Sequence, residues 1–191
     1  MYRCQWAGNN EKMQRYHDTV WGVPEYDEQR LFRKLVLDMN QAGLSWQTIL
    51  NKMENFDLAY EQFEIEKVAN FDEAKIEALM QDAGIIRNRR KIEAAINNAQ
   101  KIVEMHTKGL SFADYLWEFT DYQIIDNHPI TASDIPTKTA LSDQIAKDLK
   151  KRGFKFVGST TIYAFLQAVG IVNDHEKNCF RYTELVKKET L

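Results

Sequence analysis

Apolar positions recur with the spacing of an α-helix along almost the whole chain. After Pro24, Asp27 is placed to cap a helix whose inward face reads Leu31, Phe32, Leu35, Val36 and Met39 and which ends near Gly43. Ser45 caps the next helix, with Ile49, Leu50 and Met53 facing inward. Asp72 opens a short helix through Lys75 to Met80 that Gly84 stops. The longest pattern runs from Arg87 to Lys108, with Ile92, Ala95, Ile96, Ala99, Ile102 and Val103 as its stripe. Ser111 caps a turn carrying Phe112, Tyr115, Leu116 and Phe119, and a last pair of helices covers Ser142 to Lys151 and Thr160 to Val169. The segment 120–138 holds Pro129 and Pro136 and reads as loop. No stretch alternates apolar and polar over a strand's length, and no repeat recurs. The pattern predicts an all-α fold of many short helices, with 120–138 too short to link independent domains.

Composition narrows the class. At 191 residues one domain is expected, and 44% hydrophobic residues suffice for a sizeable core. Charged residues make 28%, which argues against a disordered chain. No apolar run approaches ~18 residues, so a spanning helix is excluded. The start, MYRCQWAGNN, lacks the apolar stretch of a signal peptide, and a cytoplasmic location with no membrane partner is expected. The net charge of −3 excludes a polycation; any nucleic-acid contact must come from a local basic patch.

Two cysteines stand at opposite ends, each near a histidine: Cys4 with His17, and His175 with Cys179. The second pair is spaced i, i+4, which puts both side chains on one helical face. Two thiolates and two imidazoles are a closed ligand set for structural zinc. The alternatives are two unrelated buried cysteines with surface histidines, or a disulfide, which an intracellular chain rarely keeps. A metal here would join residue 4 to residue 179 and pin two ends that otherwise fray.

A second candidate is LKKRGFKFVGSTTIYAFLQAVG, which reads as helix, six-residue link and helix. Gly153 and Gly158 bound the link and let the backbone turn and approach another surface. The following Ser159, Thr160 and Thr161 present amides at a helix N-terminus, which attracts phosphate. Lys147, Lys150, Lys151, Arg152 and Lys155 surround the turn, with Asp143 and Asp148 among them. This is the pattern of a helix-hairpin-helix that holds a duplex backbone without reading sequence. An ordinary solvated helical corner remains the alternative. Arg87, Arg89, Arg90 and Lys91 form another basic cluster, more simply read as a solvated face.

A third candidate is the crowding of Trp6, Tyr16, Trp21 and Trp46 in the first third of the chain, near Asn9, Asn10 and Gly22. Flat aromatic faces suit a flat ligand such as a purine and attract a cationic one more strongly. Asp38 borders the apolar face of the helix that leads into QAGLSW, a costly place for a carboxylate without donors. The alternative is core tryptophans and an exposed acid.

Taken together, RCQW at 3–6, YHDTVWGVPEYD at 16–27, QAGLSWQTIL at 41–50, AGIIRNRRKIEA at 83–94, KKRGFKFVGSTTIYAFLQAVGIVNDH at 150–175 and Cys179 resemble the DNA-3-methyladenine glycosylase I family of the helix-hairpin-helix glycosylases. The resemblance covers about residues 1–180 as one domain and leaves 181–191 as a tail. It implies an all-α helix-hairpin-helix bundle in which Cys4, His17, His175 and Cys179 bind one structural zinc per chain. It implies removal of N3-methyladenine from double-stranded DNA after the base is flipped out. Trp46 would then stack on the base, with Tyr16, Trp6 and Trp21 lining the pocket. Leu44, in the tight turn with Gly43, would fill the gap left in the duplex. Gly153, Lys151, Lys155 and Gly158 would grip the DNA. Asp174 follows the hairpin, as a sugar-cation-stabilising aspartate does in wider relatives, but its place beside His175 argues against that role. Two positions depart from the family: Asp38 stands where it usually has glutamate, and Met13 where it usually has tyrosine. With the glycosylase as the leading reading, these departures imply a pocket that has compensated, an altered base preference or low activity, and they motivate a lesion-binding protein with weak excision as the alternative. A zinc-stabilised helical DNA-binding regulator is disfavoured by the acidic net charge and the tryptophans.

Overall fold

The computed structural model describes residues 1–188. Ten α-helices are present among them: α1 Glu11–Thr19, α2 Glu28–Gln41, α3 Trp46–Ala59, α4 Ile65–Ala69, α5 Glu73–Gln81, α6 Arg89–Thr107, α7 Phe112–Trp117, α8 Ala140–Lys151, α9 Ser159–Ala168 and α10 Phe180–Lys188. Single 3₁₀ turns occupy Gln5–Ala7, Glu61–Phe63, Glu118–Thr120 and Ala132–Asp134.

The helix starts follow local chemistry. Asp27, Ser45, Asp72 and Ser111 each accept a hydrogen bond from the backbone amide three residues on, as their positions predict. Asn10 and Asn88 do the same for α1 and α6. Helix α8 begins slightly earlier than its apolar stripe: Thr139 and Ser142 form a reciprocal capping pair around its first turn.

One apolar core runs through the molecule, with Leu31, Phe32, Leu35, Ile92, Ala95, Ile102, Trp117, Ile145 and Phe165 among its buried members. Helix α6 packs on α4, α5, α2 and α7, while α2 also packs on α3 and α9, and α9 on α8. Helix α2 therefore lies between neighbours on several sides, which is why Lys34, Asp38 and Asn40 are buried along with its apolar stripe.

The all-α expectation needs one amendment. Ile125–Asp126 pairs in parallel with Val172–Asn173, forming a two-stranded ladder (β1, β2) inside the segment expected to be loop and just before His175. Two residues are too few to show alternation, and the pairing is long-range, so no local pattern announces it. The segment set apart as a tail begins inside α10, whose Leu185 is buried; residues 189–191 lie outside the described residues.

Candidate active site and metal centre

The aromatic residues of the N-terminal third converge. Trp6 and Met13, Tyr16 on α1, Trp21, Asp38 and Gln41 on α2, and Trp46 at the start of α3 line one cavity of about 380 Å³. That size is within the range of small-molecule sites. Ala132 and Ile135 close it from the 120–138 segment, and Ala164, Gln167 and Ala168 from α9. The rings of Tyr16 and Trp46 lie 5.0 Å apart, and those of Trp6 and Trp21 also 5.0 Å, nearly perpendicular. Such edge and tilted contacts hold the aromatic walls in fixed orientations.

Burial is uncompensated at three points of this wall. Trp6 Nε1, Trp46 Nε1 and Asp38 Oδ2 are buried without a hydrogen-bond partner, three of the four such atoms found among the described residues. Buried polar atoms without partners are rare, and each one costs stability. All three belong to residues that line the cavity, so two donors and an acceptor lie within its wall without a protein partner. Burial pushes the Asp38 carboxyl up to about 8, with the Lys34 charge pulling against it. Burial, then the Asp38 charge, raises Tyr16 well above the ordinary phenol value.

Asp174 has a different setting. It is buried and accepts from Tyr163 Oη at 2.5 Å, Gln167 Nε2 at 2.7 Å and Asn127 Nδ2 at 2.8 Å. With both oxygens engaged, this acid orients Gln167 at the cavity wall and ties down the loop that carries β1. The sequence reading missed Gln167, which lies in an apolar helical stripe and shows no local signal of a site.

At the other end of α9 is the hairpin. Lys151 and Lys155 are exposed, as are Lys147 and Lys150. Gly153 has φ +88°, and a side chain added at Gly158 would meet nothing within 4 Å, so that end of the link is open to an approaching surface. Arg152 does not point outward as a free cation: it pairs with Asp148 at 2.7 Å and lies over the Tyr115 ring. Ser159 donates to Asp143, which brings a carboxylate to the start of α9. The turn itself is held from α6: Asn97 Nδ2 donates to the Gly153 carbonyl at 2.8 Å, and Asn98 bonds both the amide and the carbonyl of Lys155. Ser159 at the hairpin and Gln167 at the cavity are eight residues apart on one helix, about 12 Å at the α-helical rise.

Gly43 and Leu44 occupy the α2–α3 turn at the rim; Gly43 has φ +81° and Leu44 is 41% exposed. They do not line the cavity. Of the second basic cluster, Arg89 pairs with Glu73, Glu77 and Glu93, as a solvated face predicts. Lys91 behaves otherwise: it is buried and its Nζ donates to the carbonyls of Asn40 and Ala42 at 2.8 and 2.9 Å, bracing the turn that displays Leu44.

Cys4, His17, His175 and Cys179 meet in a buried cluster whose ligand atoms all lie within 4.8 Å of one another. The sulfur-to-nitrogen separations are 3.5 Å for Cys4–His175, 3.4 Å for Cys179–His17 and 3.7 Å for Cys179–His175. A tetrahedral ion with standard metal–sulfur and metal–nitrogen bonds needs such edges to be about 3.6 Å. The far nitrogen of each ring is engaged as well: His17 Nδ1 lies 2.8 Å from Asp18 Oδ1, and His175 Nε2 lies 3.3 Å from the Trp21 carbonyl. Those acceptors hold the rings in the tautomers that turn lone pairs toward the cluster centre. Cys179 is pushed well below the ordinary thiol value, chiefly by its bond with Cys4, and Cys4 is pushed up by that bond and by burial. A divalent cation lets both ionise. Gly22 makes room for the cluster: at φ +75°, a side chain there would come within 2.7 Å of His175 Nε2. Glu176, which the sequence reading did not single out, joins the two ends directly, accepting from Tyr2 Oη and from the Gln5 amide, each at 2.7 Å.

An all-α frame with a cavity for a flat ligand at one end of a helix and a basic hairpin at the other has the parts of a DNA glycosylase. The family model for methyladenine glycosylase matches residues 6–182, and the chain belongs to that family. It is 48% identical to DNA-3-methyladenine glycosylase 1 of Escherichia coli (strain K12) over 182 residues, covering 95% of this chain and 97% of that protein. It is 44% identical to DNA-3-methyladenine glycosylase of Haemophilus influenzae, covering 93% of this chain and 96% of that one. A crystal structure of a 3-methyladenine DNA glycosylase I variant in complex with 3-methyladenine superposes with a TM-score of 0.90 at 38% identity, covering 94% of this chain and 97% of that one.

Proposed function

We infer that this chain removes N3-methyladenine from alkylated DNA by hydrolysing its N-glycosidic bond, with Asp38 and the tryptophans reading the flipped base. The observation that supports these residue roles is the set of partnerless buried atoms on residues that line one aromatic cavity: Trp6 Nε1, Trp46 Nε1 and Asp38 Oδ2. Methylation at N3 leaves the adenine ring positively charged. Aromatic faces and a carboxylate in a water-poor cavity favour such a ring over a neutral adenine. When the bond between C1′ and N9 breaks, its electron pair returns to the ring and neutralises it. Water adds to C1′ and gives up a proton, yielding neutral N3-methyladenine and an abasic site. The leaving group needs no protonation, so the acid serves recognition and charge stabilisation.

The hairpin from Lys151 to Gly158 supplies sequence-independent contact to the duplex, and Leu44 on its exposed turn fills the space vacated by the base. The four-ligand cluster holds a structural zinc; four protein ligands leave no open position for a water, so the ion supplies stability. Cys4, His17, His175 and Cys179 would be its ligands.

The activity is tested by chromatography of bases released from methylated duplex DNA. Free N3-methyladenine is the expected product, with N3-methylguanine and N7-methylguanine resolved in the same run. Tight binding to methylated DNA without base release would support the lesion-binding alternative.

A further inference from the structure

Lys34 is unusual for a lysine. Its side chain is 8% exposed, on the same helix as Asp38 and one turn before it. Its Nζ donates to the Ala168 carbonyl at 3.0 Å, at the C-terminal end of α9, where the helix dipole favours a cation. Glu25 Oε2 lies 3.9 Å away. Lys34 and Asp38 both line a narrow void of about 10 Å³ behind the base cavity, together with Tyr16, Trp46 and Ala168. Asp38 lines the base cavity as well, whereas Lys34 does not. Asp38 is thus shared by the void that Lys34 lines and by the base cavity.

We propose that Lys34 is a positioning residue for base recognition, its ammonium favouring the carboxylate form of Asp38 that a cationic base requires. The proposal rests on the reading of Asp38 as the acid that faces the flipped base. Burial holds the proton of this donorless carboxyl up to about 8 even with Lys34 beside it, and without that charge the carboxylate that attracts a cation would form only at still higher pH. A positive charge one helical turn behind it opposes that effect without occupying the pocket. Burial pushes Lys34 down to about 8, while the Glu25 and Asp38 charges hold it up. The other groups facing the pair are Arg30 and Arg33 on α2, with Arg33 tied to Asp57 on α3, and the Tyr16 hydroxyl from α1. Arg33 also lines the void but is neutralised by Asp57 at 2.5 Å, and Arg30 is largely exposed, which leaves Lys34 as the buried cation that faces the acid there.

The test is the pH profile of N3-methyladenine excision under single-turnover conditions, corrected for the folded fraction of each variant. Lys34→Gln keeps a donor for Ala168 but lacks the charge; Lys34→Arg keeps the charge. The acidic limb of the Lys34→Gln profile should move up by about one unit or more, costing roughly tenfold in rate on that limb and recovering at alkaline pH. Lys34→Arg should hold the limb at its parental position, and adding Lys34→Gln to Asp38→Asn should cause no further loss. An unmoved limb, a rate gain, or an equal loss at every pH that persists in the Asp38→Asn background would overturn the role of Lys34. Should Asp38→Asn alone excise at the parental rate, the reading of Asp38 fails first, and the proposal fails with it.

Discussion

Asn98, fully buried on α6, grips Lys155 in the hairpin by both backbone groups: the Lys155 amide donates to Oδ1 at 2.8 Å and the Lys155 carbonyl accepts from Nδ2 at 2.9 Å. The side chain of Lys155 is thereby left free at the surface while its backbone is fixed to the core. Asn98→Ala removes both bonds and strands the partners. It should cost about 2–3 kcal/mol of stability in urea denaturation. It should also weaken binding to undamaged duplex, measured at a temperature where the variant remains folded.

Lys151 and Lys155 should contribute affinity without selectivity. Each single alanine substitution should weaken binding to damaged and undamaged duplexes alike and make the salt dependence shallower, by about 0.9 in log–log slope for a lost phosphate contact. Fluorescence anisotropy across a salt series measures this. A loss confined to damaged DNA would show that these side chains read the lesion.

For Asp38, the expected effect is on chemistry. Asp38→Asn keeps the shape, removes the charge and replaces an acceptor with a donor. Excision of N3-methyladenine should fall roughly ten- to a hundredfold, the worth of one charge-assisted hydrogen bond. Binding to abasic DNA should change little, because no base occupies the pocket.

The same substitution should stabilise the fold in a pH-dependent way. Burial raises the Asp38 carboxyl from 3.8 to about 8. Between those values the folded chain keeps a proton that the unfolded chain releases, so the parent loses stability as pH rises through that window. Asparagine carries no such linkage. The advantage of Asp38→Asn over the parent should therefore grow from pH 4 to pH 8, by about 1–3 kcal/mol. Urea titrations at the two pH values decide it; an equal difference at both would place the acid in water.

The metal cluster is tested from inside and outside its ligand set. Purified protein should contain about one zinc per chain, and His175→Ala should lose it together with stability. Gly22→Ala keeps all four ligands yet pushes a methyl group against His175. It should lower metal retention in a chelator competition. Retention equal to the parent's would show that the His175 ring can shift without cost.

The helices and their starting points were legible in the chain because both depend on near neighbours: a 3.6-residue apolar period and an oxygen three residues before an amide, as at Asp27, Ser45, Asp72 and Ser111. The four residues of the cluster that could hold a metal were nameable from residue type, since the chain has only two cysteines. Their meeting was decided by packing, which brings Cys4 and His175 to 3.5 Å across 171 positions. The same holds for the residues that surround the proposed base pocket. Lys34 and Lys91 read as ordinary surface cations until α2 is enclosed by α3, α6 and α9, when burial turns one toward Ala168 and the other toward Asn40 and Ala42. Asn98 and Gln167 carry no local mark either, and the two-residue ladder of Ile125–Asp126 with Val172–Asn173 is too short to leave one. Local periodicity encodes which face of a helix is apolar. Which polar groups end up buried, and which remain without partners as at Asp38, Trp6 and Trp46, is fixed only when distant segments close over them and exclude water.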